Sequence, residues 1–362
     1  MAATTTSTAP TRVPGLSYAT DESPGIARAG RPGAFVYRWP GGRLVKDGAT
    51  LRRIRSLAVP PAWTDVWISP NAVGHIQATG RDARRRKQYR YHPRWRTVRD
   101  EAKFDHLLEF ARALPVIRRA LTRDLAKAPF SRKRVLAVVV SLLERTHIRV
   151  GNDEYARTND SYGLTTLKDG HARIQGKRVE FRFKGKSGVM HHISVEDPVL
   201  ARDVRRCQDL PGQTLFQYLD EKGQPRTIGS TDVNWYLADV SGTDVTAKDF
   251  RTWWGTVSVA RLLRESPAPR NKTEAKQLTL RAIDSVAGEL GNTRAVCRAC
   301  YVHPAVLAAF SVGNVAARAQ AKRRSVKGLT DDEAWTVAFL QGWAEQPPRA
   351  RRGRSRQRAV PA

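Results

Sequence analysis

The sequence predicts an α+β protein with a small, mostly β N-terminal domain and a larger, mainly α C-terminal domain containing a small three-stranded sheet. Up to about residue 93, short β-like runs alternate with turns rich in Pro and Gly. Beyond Arg99, apolar residues recur at helical spacing, and three β-like runs interrupt this pattern once. The expected order is a disordered leader at 1–17, the β-rich domain at 18–98, the helical domain at 99–346 and a disordered tail at 347–362.

The chain is strongly basic, with 63 Lys and Arg against 34 Asp and Glu and a net charge of +29. Because the excess is spread along most of the chain, it indicates a polyanionic partner, most simply nucleic acid. The tail from Arg349 to Arg358 adds six arginines and no acid. It is expected either to strengthen DNA binding without reading sequence or only to keep the chain in solution.

Neither a membrane segment nor a metal site is predicted. No apolar run approaches the roughly 20 residues that a spanning helix needs, and residues 1–14 lack the apolar core of a secretory signal. The three cysteines, Cys207, Cys297 and Cys300, fit a reducing compartment. Cys297 and Cys300 form a Cys-x-x-Cys pair, but no second ligand pair is evident and the spacing lies within a helical pattern.

The β-rich domain ends in a segment that alternates basic and aromatic residues. Earlier β-like runs lie at Phe35–Trp39 and Val66–Pro70, with a helical pattern at Ala49–Leu57 between them. In the last segment, Gly80–His92, arginine can neutralise phosphate, glutamine can pair with adenine, and tyrosine can bond phosphate or pack on sugar. A solvated strand edge is the alternative.

Two apolar stripes then predict core helices, one from Phe104 to Leu114 and one from Val135 to Leu143 behind the cap Ser131. The second helix leads directly to Arg149, which stands between Ile148 and Val150. An arginine held between apolar residues is either a structural ion-pair partner or an anion ligand.

The three β-like runs that follow predict a small sheet. They lie at Ala172–Ile174, Val179–Phe183 and Val189–Val195, and Lys184–Gly188 makes the turn between the last two. Lys186 therefore lies at a hairpin tip and can reach outward. Most lysines at such a position are simply solvated.

A helix is expected to begin after Thr246, which is a good N-cap. Lys248 and Arg251 are three residues apart and share one face of it, so an anion between them would relieve their repulsion. A plain solvated face is the alternative. Trp253 and Trp254 are expected to anchor the helix in a core.

The last motif runs from Asn292 to Tyr301. Leu278, Ala282, Val286 and Leu290 recur every fourth residue, which predicts a helix capped by Gly291 in the left-handed conformation. A short second helix is expected from Thr293 to near Tyr301, because Pro304 cannot continue it. A tyrosine at a helix end among arginines is a candidate nucleophile against phosphate, although a lone tyrosine is more often a packing residue.

The order of these motifs resembles the type IB DNA topoisomerases, in the compact form shared by poxviruses and bacteria. The family order is an arginine after a helix, a lysine on a β-hairpin, a Lys-x-x-Arg helix and then a tyrosine. The resemblance covers about residues 20–345. Its most specific segments are Gly80–Pro93, Ile148–Asn152, Phe183–Ser187, Val245–Trp253 and Leu290–Tyr301.

The resemblance implies a role for each matching residue. In the N-terminal domain, the candidate DNA contacts that it implies are Arg86, Gln88, Tyr89 and Tyr91. Tyr301 would attack a DNA phosphate to give a 3′-phosphotyrosyl link and a free 5′-hydroxyl. Arg149 and Arg251 would hold the non-bridging oxygens, Lys186 would protonate the departing 5′-oxygen as general acid, and Lys248 would assist.

One position departs from many family members, in which a histidine lies nine residues before the tyrosine. Here that residue is Asn292, which can donate a hydrogen bond to a non-bridging oxygen but carries no charge. The bacterial branch of the family resembles this chain in using asparagine.

The resemblance further implies relaxation of supercoiled double-stranded DNA by cleavage, strand rotation and religation, without ATP, metal or other cofactor. The expected enzyme is a bacterial monomer that clamps duplex DNA, cytoplasmic and associated with the nucleoid. A tyrosine recombinase is one alternative, although such enzymes usually carry His-x-x-Arg where this chain has Lys248 and Arg251. A non-catalytic basic DNA-binding protein is the other.

Overall fold

A computed structural model describes residues 13–83, 85–311 and 326–345. The chain divides into two compact units, Met1–Asp105 and His106–Ala362. Both the division and the expected boundary after residue 98 fall within helix α2 (Pro93–Leu125). The predicted α+β class is confirmed, because the first unit is built on an antiparallel sheet and the second is mainly helical.

The first unit is a five-stranded antiparallel sheet in the order β2-β1-β3-β4-β5. Helix α1 (Gly48–Ser56) begins after Asp47, whose carboxylate accepts hydrogen bonds from two backbone N–H groups of the first turn. Ile54 of this helix is buried in the same core cluster as Ile26 and Ile68 of the sheet. The strands are β1 (Ile26–Arg31), β2 (Ala34–Arg38), β3 (Thr64–Ile68), β4 (Ile76–Arg81) and β5 (Lys87–Tyr91).

The predicted leader and tail lie largely outside the described residues. Residues 1–12 and 346–362 are not described. Ser17, at the end of the predicted leader, is part of the first unit: its N–H donates to the Val73 carbonyl at 2.8 Å, and its carbonyl accepts from the His75 N–H at 2.8 Å.

The second unit is mainly helical. Helix α3 starts after Ser131, as predicted, and is buried along most of its length. Within the described ranges, the α-helices of the second unit that follow α2 are α3 (Arg132–Thr146), α4 (Asp153–Asn159), α5 (Pro198–Gln208), α6 (Ser230–Ser241), α7 (Ala247–Glu265), α8 (Lys272–Glu289), α9 (Arg294–Cys300), α10 (Pro304–Ser311) and α11 (Asp331–Glu345).

The predicted three-stranded sheet is confirmed, with antiparallel order β6-β7-β8. Val179 and Phe181 of the central strand are fully buried, as the alternation of a half-buried strand requires. The β7–β8 turn contains a single 3-10 turn over Lys186–Gly188. The strands are β6 (Ala172–Gln175), β7 (Arg178–Lys184) and β8 (Met190–Glu196), and a separate hairpin is made by β9 (Gln217–Leu219) and β10 (Pro225–Thr227).

Helix α7 begins after Thr246, as predicted. Asp249 Oδ2 accepts hydrogen bonds from the Thr246 N–H and hydroxyl, both at 2.8 Å, and so closes the first turn. Further along, the Trp253 indole donates to Glu333 of α11 at 3.2 Å. Glu333 also forms an ion pair with Arg118 of α2 at 2.9 Å. The bonds of Asp249 and of Trp253 thus hold the first two turns of α7, which carry Lys248 and Arg251.

No helix in the described ranges combines the length and apolarity needed to cross a membrane.

Candidate active site

Five of the predicted site residues line one cleft of about 380 Å³ in the second unit. They come from four separate segments: the chain after α3, the β7–β8 turn, the start of α7 and the end of α9. Among the described residues that line the cleft, none is Asp or Glu. The five are Arg149, Lys186, Lys248, Arg251 and Tyr301.

Arg149 is held by one backbone hydrogen bond and by one bond of its side chain. Helix α3 ends at Thr146, and its cap residue His147 adopts a left-handed φ of 55° that turns the chain towards the cleft. The Arg149 carbonyl accepts from the Leu164 N–H at 2.9 Å. The guanidinium donates to Asn292 Oδ1 at 2.6 Å. Its partner is thus a neutral amide, and its positive charge remains available to an anion.

Arg251 is the most enclosed of the four cations, with 4% of its surface exposed. It donates to the carbonyls of His147 and, at 2.8 Å, Leu290, so its partners are also neutral. Its Nε–H is buried and finds no hydrogen-bond partner among the described residues. Burial lowers its pKa, and the charge of Arg149 lowers it further. An anion in the cleft would oppose both effects.

Asn292 joins the two arginines without carrying charge. Its Oδ1 accepts from Arg149, and its Nδ2 donates to the Leu290 carbonyl at 3.1 Å, the same carbonyl that Arg251 contacts. Leu290 engages one of the two N–H donors of this amide, and the donation of a hydrogen bond from Asn292 to phosphate stays a prediction. The predicted left-handed cap that precedes it is confirmed, because Gly291 has a φ of +59°.

Tyr301 lies at the C-terminal cap of α9, where the pattern predicted it. Its side chain is nearly enclosed, with 9% of the residue exposed, and the Arg251 guanidinium lies 5.1 Å from its ring centroid. The Tyr301 N–H donates to Cys297 at 2.9 Å, and its carbonyl accepts from the Thr256 hydroxyl at 3.2 Å. The nucleophile candidate is therefore fixed through its main chain.

Two residues of α7 that hold Tyr301 were not predicted. One is Thr256, whose hydroxyl also accepts from the His303 N–H at 3.1 Å. The other is Gly255, where an added Cβ would lie 2.7 Å from the Tyr301 carbonyl oxygen. A glycine inside a helix costs about 1 kcal/mol of stability relative to alanine. Its presence within the helical pattern of α7 was therefore a sequence signal that another part of the chain packs closely against this position.

We expect Gly255→Ala to slow DNA cleavage by about 10²-fold, because the methyl group displaces the Tyr301 backbone and small misplacements of a reacting group have effects of this order. The measurement is the single-turnover rate of covalent adduct formation. The matched control is Gly288→Ala in α8, where nothing lies within 4 Å of the added Cβ. That variant should cleave normally and be stabilised by roughly 0.5–1 kcal/mol. Equal rates for the two variants would contradict the close-packing role of Gly255.

Lys186 and Lys248 are the exposed cations of the cleft. Lys186 opens the short 3-10 turn of the hairpin, and the next residue, Ser187, has a left-handed φ of 66°. Lys248 lies in the first turn of α7. No ion pair of either lysine occurs within the described part of the chain, which leaves both side chains able to reach a ligand.

Comparison with protein families matches most of the second unit and part of the first. Residues 92–327 match the family described as eukaryotic DNA topoisomerase I, catalytic core. Residues 34–82 match bacterial DNA topoisomerase IB, N-terminal domain. The chain belongs to the type IB DNA topoisomerases. It is therefore an isomerase acting on DNA, which decides against the recombinase and non-catalytic alternatives.

Individual relatives agree with this membership. The chain is similar to DNA topoisomerase 1B of Acanthamoeba polyphaga mimivirus, with 31% identity over 77% of this chain and 85% of the viral protein. DNA topoisomerase I of monkeypox virus is 24% identical over 72% of this chain and 82% of its own length. These relatives are viral, and the match of residues 34–82 supports the predicted likeness to the bacterial branch.

The candidate DNA contacts of this topoisomerase fall into two groups; three of them lie on β5 and Arg86 directly precedes it. Tyr89 and Tyr91 are stacked, with ring centroids 5.9 Å apart, and Tyr89 is 40% exposed. Arg86 and Gln88 instead share Asp82 Oδ2, at 2.6 Å and 3.0 Å. Because successive side chains of a strand point to opposite faces, Gln88 and the two tyrosines do not share one face.

Proposed function

We propose that this topoisomerase cleaves one strand of duplex DNA through attack of the Tyr301 phenol on a backbone phosphate. The observation that carries the proposal is the cleft itself, in which four cations and a tyrosine meet without an acidic residue among its described lining. Such a site favours an anion, and a phosphodiester gains negative charge on its equatorial oxygens as a nucleophile adds.

Arg149 and Arg251 are proposed to bind the two non-bridging oxygens. Both are oriented before DNA arrives, because Arg149 is bonded to Asn292 and Arg251 to two backbone carbonyls. Donors fixed in this way need little reorganisation as charge develops. Asn292 is proposed to act mainly by holding Arg149 in place.

Lys186 is proposed as the general acid for the leaving 5′-oxygen, with Lys248 assisting from the start of α7. The new bond joins the Tyr301 oxygen to phosphorus, and the bond from phosphorus to the 5′-oxygen breaks. The phenol loses one proton and the 5′-oxygen gains one, so the step neither releases nor takes up a proton overall. The products are a 3′-phosphotyrosyl ester and a 5′-hydroxyl.

Strand rotation and religation complete the proposed cycle. With its 3′ end held covalently and its 5′ end free, the cut strand can turn about its partner until torsion is relaxed. The ester conserves the energy of the phosphodiester, so no ATP is required, and the arginines and lysines supply the positive charge that a metal would otherwise provide. We propose a monomer on double-stranded DNA, located in the cytoplasm at the nucleoid, with Arg86, Gln88, Tyr89 and Tyr91 as contacts.

The test is relaxation of a supercoiled plasmid by purified protein in EDTA without ATP. We expect complete relaxation, with DNA trapped on the protein after denaturation through its 3′ end only, as shown by end-labelled duplexes. Attachment through the 5′ end would contradict the assigned leaving group. Binding of the plasmid without any change in linking number would overturn the proposed reaction.

A further inference from the structure

His191 of β8 lies between the β7–β8 turn and the segment that joins α8 to α9. It pairs directly with Phe183 of β7, and the two rings are stacked with centroids 5.1 Å apart and planes 19° from parallel. An added Cβ on Gly185 would lie 2.5 Å from the imidazole, and one on Gly291 would lie 2.6 Å from it. The ring therefore fills the space between these two glycines.

Each of these glycines directly precedes a residue of the proposed site. Gly185 precedes Lys186, and Gly291 precedes Asn292. We infer that His191 is a positioning residue that sets the Lys186 hairpin against the Gly291–Asn292 corner, and this inference rests on the proposed function.

The hairpin is the partner that depends on this contact. The corner is fixed independently, since the Asn292 N–H donates to Ala287 at 2.9 Å and its side chain bonds both Arg149 and Leu290. The hairpin tip is exposed and is closed by its own backbone bond from the Gly185 N–H to Val189 at 2.8 Å. Removing the imidazole should therefore release the tip rather than the corner.

The ring acts by its shape. Burial lowers the pKa of His191, and the charges of Arg149 and Arg251 lower it further, so the imidazole is neutral near pH 7. A neutral ring packed between Gly185 and Gly291 contributes van der Waals contact with both segments and keeps water out of the space between them.

The test compares His191→Ala with His192→Ala by single-turnover cleavage. His192 is the next residue on β8, exposed, and 3.7 Å from Glu180, so it is the matched control. We expect His191→Ala to cleave ordinary DNA about 10²-fold more slowly, a typical effect of a misplaced catalytic group. On a substrate whose 5′-bridging oxygen is replaced by sulfur, the deficit should largely disappear, because a thiolate leaves without a proton. The ratio of the two rates does not depend on the fraction of folded enzyme.

A second variant tests the contact from the other side. Gly185 has a φ of −93°, so Gly185→Ala adds a methyl group without backbone strain, and its effect should come from the clash with His191. We expect this variant to be slow, and the double variant with His191→Ala to be no slower than the slower single variant.

Three results would overturn the inference: equal cleavage by His191→Ala and His192→Ala, a deficit that persists with sulfur, or additive effects with Gly185→Ala. Failure of the wild-type enzyme to form any 3′ adduct would instead refute the proposed function.

Discussion

Tyr301→Phe is expected to abolish covalent trapping of DNA and plasmid relaxation, with a loss of at least about 10⁴-fold, because phenylalanine has no oxygen to attack phosphorus. The ring itself is retained. It keeps its place beneath the Arg251 guanidinium and in a nearly enclosed site. Noncovalent DNA binding and the thermal unfolding midpoint should therefore remain close to those of the wild type.

The measurement is adduct formation on an end-labelled duplex, with binding measured on the same duplex by fluorescence anisotropy. Parallel loss of binding and cleavage would show that the substitution disturbs the cleft as a whole. Relaxation by the variant at the wild-type rate would mean that the nucleophile lies elsewhere.

Arg251→Ala is expected to lower the cleavage rate by about 10²–10³-fold, the usual effect of losing one preorganised donor to a developing anion. It also removes one hydrogen-bond donor to each of the His147 and Leu290 carbonyls. Unfolding should thus become easier by about 1–3 kcal/mol. Arg251→Lys keeps the charge, but one ammonium cannot replace a planar guanidinium that spans two carbonyls and a ligand. We expect only partial recovery.

A control for Arg251 is present in the same helix. Arg264 of α7 pairs with Asp332 at 2.5 Å and lies over the Trp335 ring at 5.1 Å. Arg264→Ala should weaken the packing of α11 while leaving the single-turnover cleavage rate unchanged at a temperature where the protein is folded. If Arg264→Ala slowed cleavage as much as Arg251→Ala, general destabilisation would explain both effects.

Local patterns predicted the elements that carry the site. The structure confirms three such features, each of which involves only a few consecutive residues. They are the helix with four-residue spacing before Gly291, the cap at Thr246 and the turn at Lys184–Gly188. Short-range hydrogen bonding and backbone conformation decide such features, so they are visible in the sequence alone.

Contacts between segments distant in sequence could not be predicted in this way. Gly255 and Thr256 contact Tyr301 across more than forty positions, and nothing periodic links them. His191 meets Gly291 only because a sheet and a helix corner pack together. The orientation of Asn292 likewise depends on Leu290 and Arg149, whose positions relative to each other arise from tertiary packing.

The distribution of the cleft over four segments has a consequence during synthesis of the chain. The two arginines, the hairpin lysine and the start of α7 all precede α9, so Tyr301 is the last component to be translated. Its main chain is held by Gly255 and Thr256, which become available only when α7 has folded. If Tyr301 is the nucleophile, a chain that ends before α9 is expected to bind DNA through its charge without cleaving it.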